Sequence, residues 1–170
     1  MRSFLKIFLA AIALLLTHNS YAQLAIDLVG GAQIHSQKYT GLYGSGREVA
    51  MGGNLSLRGM YHTKHIEGGV MAETGRLVGQ GYVMGGLMAN ALIQLNNTEL
   101  YIGGMAGAQR YASNWNLIAG GQIGQRRELS PHLYFIAEVG ARYADIAGGS
   151  TLVFPILVGL RIDFTKTKQL

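Results

Sequence analysis

The sequence predicts an all-β protein, an eight-stranded antiparallel up-and-down β-barrel that crosses a membrane. Apolar residues alternate with small or polar residues along most of the chain, and this period of two is typical of a strand with two different faces. Glycine pairs recur within these runs every 16 to 22 residues, a spacing that fits one barrel strand of about 10–12 residues and one turn. The pairs are Gly30-Gly31, Gly52-Gly53, Gly68-Gly69, Gly85-Gly86, Gly103-Gly104 and Gly120-Gly121.

The first 22 residues are predicted to be a cleaved secretory signal peptide. Arg2 and Lys6 supply a positive start, a short apolar run follows, and Ser20 and Ala22 offer small residues just before Gln23. A retained anchor helix is the alternative, and the small residues at the cleavage site argue against it. The chain is therefore divided into a signal peptide at 1–22, a barrel at 23–164 and a short polar tail at 165–170.

Eight alternating segments follow the signal peptide in order. The first four are predicted at 24–35, 49–61, 66–75 and 82–95, and the last four at 98–109, 115–126, 133–143 and 151–164. In the first segment Leu24, Ile26 and Leu28 share the apolar face, whereas Asp27 lies on the other. Eight is an even number, as an up-and-down barrel with both termini on one side requires. No apolar run long enough for a membrane-spanning helix follows residue 22, so a membrane span has to be built from strands.

Charged residues are nearly confined to one face of the strands. The apolar face carries long branched and aromatic side chains, which would overfill the narrow interior of an eight-stranded barrel. We therefore predict that the apolar face points into lipid and that the charges pair inside, while a soluble barrel with the opposite arrangement is the alternative. The predicted interior charge network consists of Asp27, Arg58, Glu67, Glu73, Glu99, Arg126, Glu138, Arg142, Arg161 and Asp163.

One glycine in every predicted strand shares the face of the charges. A small residue there leaves room for a long neighbour in a narrow lumen; the plainer interpretation is that these glycines only help the sheet to curve. If the neighbouring turns are tight, Gly69 lies opposite Arg58 and Gly120 lies opposite Arg142. The predicted inward glycines are Gly31, Gly52, Gly69, Gly86, Gly103, Gly120, Gly140 and Gly159.

The links between strands predict the orientation. Short links are predicted at 62–65, 96–97 and 130–132, and mostly longer loops at 36–46, 76–81, 110–113 and 144–150. Transmembrane barrels carry short periplasmic turns and longer external loops, which puts both termini in the periplasm. Aromatic residues are predicted to form belts at the two rims. The external belt comprises Tyr82, Tyr111, Trp115 and Tyr143, and the periplasmic belt comprises Tyr61, Phe135 and Phe164.

Composition excludes several classes of function. The chain has no cysteine, so neither a disulfide framework nor a thiolate metal site is available. The net charge of +5 is spread along the sequence and does not form the basic, aromatic-interleaved patch of a nucleic-acid-binding protein. No cofactor is predicted.

The chain resembles the small eight-stranded outer-membrane barrels of the OmpA/OmpX type. The resemblance covers residues 23–164 and rests on the strand pattern and on the closing strand, which alternates and ends in Phe164. It implies that Phe164 is read by the barrel-assembly machinery, although six residues follow it here. It also implies a bacterial outer-membrane protein, embedded in outer-membrane lipid, with a packed charge network inside. Members of this family have structural, adhesive, immune-evasion and, in a few cases, lipid-modifying roles.

A lipid-modifying enzyme is one alternative. Such chemistry needs a histidine base within reach of a serine hydroxyl, and only His35, beside Ser36, is predicted near the external rim. We interpret His35 as a solvated loop residue, so no catalytic residue is assigned. His62 and His65 lie three residues apart in a turn, but they lack a clear third ligand, so no metal site is assigned.

A small pore or a carrier of a small hydrophobic ligand is a second alternative. Methionines adapt to irregular apolar shapes, and the predicted lumen contains Met60, Met71, Met84, Met88 and Met105. The balanced interior charges favour a plugged lumen instead. A surface-binding role for the first loop, with Lys38, Tyr39 and Tyr43, is also open. We therefore expect a non-enzymatic outer-membrane barrel with a structural or surface-interaction role and an external partner that the sequence does not identify.

Overall fold

The computed structural model describes residues 23–41, 44–77, 79–111, 113–146 and 149–164. The predicted signal peptide, the predicted tail and Tyr43 lie outside these residues. Eight strands follow one another: β1 (Gln23–Gly41), β2 (Gly44–His62), β3 (Ile66–Leu77), β4 (Gln80–Leu95), β5 (Thr98–Tyr111), β6 (Asn114–Ser130), β7 (Leu133–Ile146) and β8 (Gly149–Asp163). Among the described residues there is no helix with the length and apolar character to span a membrane.

The strands form a closed antiparallel barrel. Each strand pairs with the next along the chain, and β8 pairs with β1 to close the sheet. This confirms the predicted fold class. We call the end that holds Gln23 and Phe164 the proximal end, and the opposite end, with the β1–β2 and β7–β8 connections, the distal end.

The strands are strongly staggered. Following paired residues once around the barrel from Asp27 leads back to β1 at Gln37, ten residues farther along the strand. The path runs through Arg58, Met71, Gly86, Gly107, Ile118, Ala144 and Thr151. Such a stagger requires the strands to tilt against the barrel axis. It also brings side chains that are far apart in sequence to the same depth of the lumen.

The strand faces differ as the alternation predicts. Odd-numbered residues of β1, such as Asp27 and Gln33, are buried in the lumen, whereas Leu24 and Leu28 are exposed on the outer wall. Other leucine, isoleucine, valine and phenylalanine side chains on every strand share that outer wall. Since most of these side chains have no protein neighbour to cover them, the outer wall is suited to lipid rather than to water.

Several strands extend beyond their predicted bounds. The predicted first loop at 36–46 is wrong, because residues up to Gly41 continue to pair with β2, which begins at Gly44. All four distal connections leave only two residues between strands, and the proximal connections leave two or three. The predicted contrast in loop length is therefore absent. The polar strand ends lack the apolar alternation on which the sequence prediction depended, so their pairing was missed.

The register corrects one predicted cross-strand pair. Arg58 lies opposite Met71, and Gly69 lies opposite Met60, because the last residue of β2, His62, pairs with Glu67. Gly120 does lie opposite Arg142, as predicted. At the other proximal connections, Asn96 (φ 47°) and His132 (φ 73°) adopt the left-handed conformation that completes each two-residue turn.

Candidate functional site in the barrel interior

The structure places all ten predicted interior charged residues inside the barrel, each at most 9% exposed. Buried charges cost several kcal/mol each unless they are paired and hydrogen-bonded, so their partners decide what the lumen can do. The four arginines are distributed over three clusters, one proximal, one central and one distal. Each cluster includes at least one contact between strands that are not neighbours.

The proximal cluster is built around Glu67 on β3. Arg161 on β8 donates to Glu67 at 2.8 Å and to Asp27 at 2.6 Å through Nε and 3.1 Å through Nη2. Arg126 on β6 donates to the other oxygen of Glu67 and also to Glu99. Two guanidinium groups thus share three carboxylates, and the contacts to Glu67 join walls three strands apart.

The central cluster is a single bidentate ion pair. Arg58 on β2 donates from Nη1 and Nη2 to the two oxygens of Glu138 on β7, at 2.7 and 2.8 Å. The hydroxyl of Tyr101 donates to the same carboxylate at 2.8 Å. Two parallel bonds fix the geometry of an arginine–carboxylate pair more firmly than one, so this pair lies across the lumen in one defined position.

An aromatic ring connects the central and proximal clusters. The guanidinium carbon of Arg126 lies 4.3 Å from the centre of the Tyr101 ring, within the range of a cation–π contact. Asn90 extends the proximal cluster, because it donates to Glu67 and accepts a 2.9 Å bond from Gln122. Ionic and neutral polar groups therefore form one connected network through the proximal half of the lumen.

The distal cluster joins opposite walls of the barrel. Arg142 on β7 donates to Glu73 on β3 at 2.7 Å, and the Tyr82 hydroxyl donates to the same oxygen at 2.6 Å. Tyr82 also lies 3.1 Å from Gln33, whose amide donates to the backbone carbonyl of Arg76. The prediction of Tyr82 in an external aromatic belt is therefore wrong, since its ring faces the lumen.

The remaining predicted rim aromatics are divided between the two faces. Trp115, Tyr143, Phe135 and Phe164 are exposed on the outer wall. Tyr111 packs against the methionine-rich cluster inside the barrel. Its odd position in β5, shared with Tyr101 and Met105, is the pattern that would have placed it inside.

Close approach between strands explains why particular interior positions are glycine. A Cβ on Gly120 would lie 2.8 Å from the side chain of Arg142, and one on Gly75 would lie 2.8 Å from the Tyr82 ring. A Cβ on Gly124 would overlap the Tyr101 ring. Outward glycines are less crowded, and a Cβ on Gly121 would find its nearest atom 3.6 Å away.

All eight predicted inward glycines share the parity of the buried residues, and the structure adds Gly75, Gly107 and Gly124 to that face. Sequence reasoning missed these three because it assigned one inward glycine to each strand rather than every glycine on the charged face. Their parity alone would have found them.

Methionines fill the spaces that the charged groups leave. Met71, Met84, Met88 and Met105 are buried in one cluster with Leu77 and Ile118. A gap between this cluster and Arg142 is too tight to admit a water molecule. The distal half of the lumen thus combines one ionic crossbar with apolar packing.

The proximal mouth contains a polar cavity of about 230 Å³. His62, Asp163, Glu99, Arg126 and Arg161 contribute to its lining. Asp163 is the most loosely held interior carboxylate, with His62 at 3.8 Å and Arg161 at 3.9 Å. The inner end of the cavity is lined by Arg126 and Arg161 of the proximal cluster.

The structure overturns the interpretation of His35 as a solvated loop residue. His35 lies within β1, fully buried, and neither ring nitrogen has a hydrogen-bond partner among the described residues. Ser36, the next residue, lies on the opposite face of the strand, so the two side chains do not converge. The described residues contain no group of three acidic or histidine side chains that would hold a metal ion.

Phe164 follows the closing strand directly. Its backbone N–H donates to the carbonyl of Leu24 at 2.9 Å, and its ring is 54% exposed on the outer wall. This bond extends the β1–β8 seam by one residue at the proximal end. An exposed aromatic ring at the final strand is accessible to another protein during assembly.

No protein-family model matches the chain, and no curated protein matches it in sequence. Similar folds are found among solved structures. The crystal structure of Neisserial surface protein A is 13% identical, with 84% of this chain and 99% of that chain covered and a TM-score of 0.59. The solution structure of outer membrane protein H from P. aeruginosa in DHPC micelles is 16% identical, with 84% and 99% covered and a TM-score of 0.54.

A third structure extends this comparison. The N-terminal β-barrel domain of Pseudomonas aeruginosa OprF is 13% identical, with 81% of this chain and 97% of that domain covered and a TM-score of 0.52. Each of the three comparisons spans nearly the whole of the other chain. Together with the closed eight-stranded topology, they show that this chain has the fold of the small eight-stranded outer-membrane β-barrels.

Proposed function

We propose that this protein is an integral β-barrel of a bacterial outer membrane, with a structural or surface-interaction role and a plugged lumen. The ionic crossbars between non-adjacent strands are the observation that carries this proposal. There are two such ion pairs at different depths of the barrel, Arg58 with Glu138 and Arg142 with Glu73. A conducting pore needs a continuous water column, and two crossbars with packed methionines interrupt one.

The membrane location is supported by the outer wall. Its exposed apolar side chains would form an extended apolar surface in water, whereas transmembrane barrels present such a band to lipid. We expect the protein in the outer-membrane fraction, and we expect its unboiled form to migrate faster than its boiled form in SDS gels. Recovery in the soluble periplasmic fraction, with one unshifted band, would contradict this location.

The plug is tested by conductance. We expect the refolded wild-type barrel to leave a planar lipid bilayer without steady current. Replacement of both central partners, Arg58→Ala with Glu138→Ala, removes the bidentate crossbar and should produce transient openings. Arg127→Ala, which removes an exposed arginine from the outside of β6, is the matched control and should behave as the wild type. A steady wild-type current would establish the pore alternative instead.

The lipid-modifying alternative receives no support from the position of His35. Its buried ring faces the lumen, away from lipid and from the Ser36 hydroxyl. We expect His35→Ala to leave the mass spectrum of the membrane glycolipids unchanged. A changed mass in cells that express the wild type but not the variant would restore the enzyme hypothesis.

A further inference from the structure

Four basic side chains project from the outer wall near the distal end. None has an acidic partner among the described residues, and Lys38 lies directly opposite Arg47. Like charges directly opposite one another destabilise a sheet. The nearby outward acid, Asp145, accepts a bond from the Tyr143 hydroxyl instead. The four exposed residues are Lys38, Arg47, Arg76 and Arg110.

Two of these residues flank an open position on β4. Arg76 on β3 lies opposite Gly81, and Arg110 on β5 lies opposite Val83, two residues below on the same strand. A Cβ on Gly81 would find its nearest atom 3.9 Å away, so the outer wall has a gap there. The two arginines are two strands apart and offset by two residues, roughly 12 Å in the plane of a sheet, and their long side chains can converge above this gap.

The depth of this pair matches a membrane interface. On the proximal side of the gap, β4 presents two exposed apolar side chains to the outside, Val83 and Leu87. Directly opposite Arg110 lies Trp115, which is 67% exposed. Exposed tryptophan side chains concentrate at the boundary between hydrocarbon and headgroups. The guanidinium groups therefore lie where lipid headgroups begin, with an apolar wall for acyl chains below them.

We propose that Arg76 and Arg110 bind the phosphate group of an anionic lipid in the leaflet at the distal end. Guanidinium groups donate paired hydrogen bonds to phosphate oxygens and remain charged at every accessible pH. The apolar wall on the proximal side of the two arginines cannot bind a free phosphate ion, but it can contact the acyl chains of a lipid. The occupant is therefore a lipid headgroup. This inference rests on the proposed membrane location.

Trp115 provides a local readout, because it is the only tryptophan in the chain. The full barrel is refolded into phosphatidylcholine vesicles that contain a minor fraction of one brominated lipid, which quenches tryptophan on contact. The brominated lipid is either phosphatidic acid, which carries an exposed phosphate, or phosphatidylcholine. Both leaflets have the same composition, so the direction of insertion does not matter. The ratio of quenching by the two lipids measures the preference for an anionic phosphate headgroup over a zwitterionic one beside Trp115.

We expect the wild type to prefer phosphatidic acid by roughly fivefold for each arginine. The single variants Arg76→Gln and Arg110→Gln should each lose part of this preference, and the double variant should lose all of it. Arg127→Gln alters an arginine at the proximal end of β6 and should retain the wild-type preference. Equal quenching by both lipids in the wild type, or a preference that survives in the double variant, would overturn the proposal.

Free phosphate and barrel integrity are tested separately. Inorganic phosphate in excess should leave the preference largely intact; its complete loss would show a site for free phosphate and overturn the lipid assignment. Each variant is also checked for the gel shift on boiling. A wild type without that shift would overturn the barrel proposal and the site with it, whereas a shifted barrel without lipid preference would overturn the site alone.

Discussion

Arg58 is buried in the central cluster, where Glu138 is its ion-pair partner and balances its charge. The carboxylate of Glu138 receives both guanidinium bonds and the Tyr101 hydroxyl. When one partner of a buried pair is removed, the other keeps its desolvation cost and loses its compensation. The pair should therefore be sensitive to removal of one residue and tolerant to replacement of both.

We expect Glu138→Leu to lower the free energy of unfolding by about 3–5 kcal/mol, because it leaves Arg58 buried and unpaired. Adding Arg58→Leu to the same protein should recover much of this loss. Reversible urea unfolding in lipid vesicles measures both effects. Additive losses in the double variant would contradict a coupled pair.

Gly124 shows how closely the interior side chains approach the neighbouring strands. A Cβ there would overlap the Tyr101 ring and lie 2.8 Å from the backbone carbonyl of Ala137. The ring cannot move freely, because its hydroxyl is bonded to Glu138 and its face contacts Arg126.

For Gly124→Ala we expect a loss of about 1–3 kcal/mol in the free energy of unfolding, the usual cost of overpacking. Gly121→Ala on the same strand is the matched control, since its new methyl group would point outward with no close atom. The midpoint of urea unfolding should fall only for Gly124→Ala. An equal response of both variants would mean that curvature, rather than space for Tyr101, determines the need for glycine.

β2 has a long edge without a partner among the described strands. It begins at Gly44 and pairs with β1 along its whole length, but its pairing with β3 begins only at Asn54. The distal half of β2 therefore depends on β1 alone, and β1 continues to pair with β8 as far as Tyr39. This half of the hairpin extends beyond the end of β3.

Amide exchange should reveal this difference. We expect the amides at 47–51 that point away from β1 to exchange with solvent much faster than those at 55–61, which lie within a three-stranded sheet. Hydrogen exchange resolved by NMR in micelles measures the contrast. Equal protection of both segments would mean that something outside the described residues covers this edge.

Within a single strand, the alternation of odd and even positions was enough to predict which side chains face the lumen. Once Asp27 and Arg161 define the inward face of β1 and β8, alternation assigns every other residue of those strands. It would also have assigned Tyr82, which shares the even positions of β4 with Met84 and Met88, had aromatic residues not been expected at the rim. His35 was assigned wrongly because the first loop was expected to begin at Ser36, so the last residue of the predicted segment was treated as solvated.

The partners of the interior charges could not be predicted in the same way. Arg58 pairs with Glu138 and Arg142 with Glu73 because the strand stagger brings them to similar depths. That stagger depends on the sum of all eight registers, and a slip of one residue at any hairpin would change it. The β6–β7 irregularity between Glu128 and Ser130 is one such shift that no pattern in the sequence indicates.

At the scale of the whole molecule, the barrel is closed by the pairing of its first and last strands. The Phe164 amide bonds to Leu24 at the proximal end of this seam. Its exposed ring contributes little to the packing of the interior. We therefore propose that Phe164 acts in assembly rather than in the stability of the finished barrel.

We expect Phe164→Ala to reduce the amount of barrel in the outer membrane while leaving the unfolding free energy of purified, refolded protein nearly unchanged. Quantitative gels of unboiled membranes and urea unfolding measure the two quantities separately. Removal of residues 165–170 is the control and should affect neither. Normal membrane levels of the Phe164→Ala protein would contradict the role in assembly.

The ion pairs of the proximal cluster also constrain the order in which the barrel can fold. Asp27 and Arg161 are 134 residues apart in the sequence, and Glu67 and Arg161 are 94 apart. Neither contact can form until β8 has paired with β1. While the sheet is still open, Asp27 lacks its arginine partner and Glu67 lacks one of its two. Contacts so distant in sequence slow folding. Pairing of β8 with β1 thus completes both the wall and the interior, and before that step the acidic groups of the unfinished barrel are exposed.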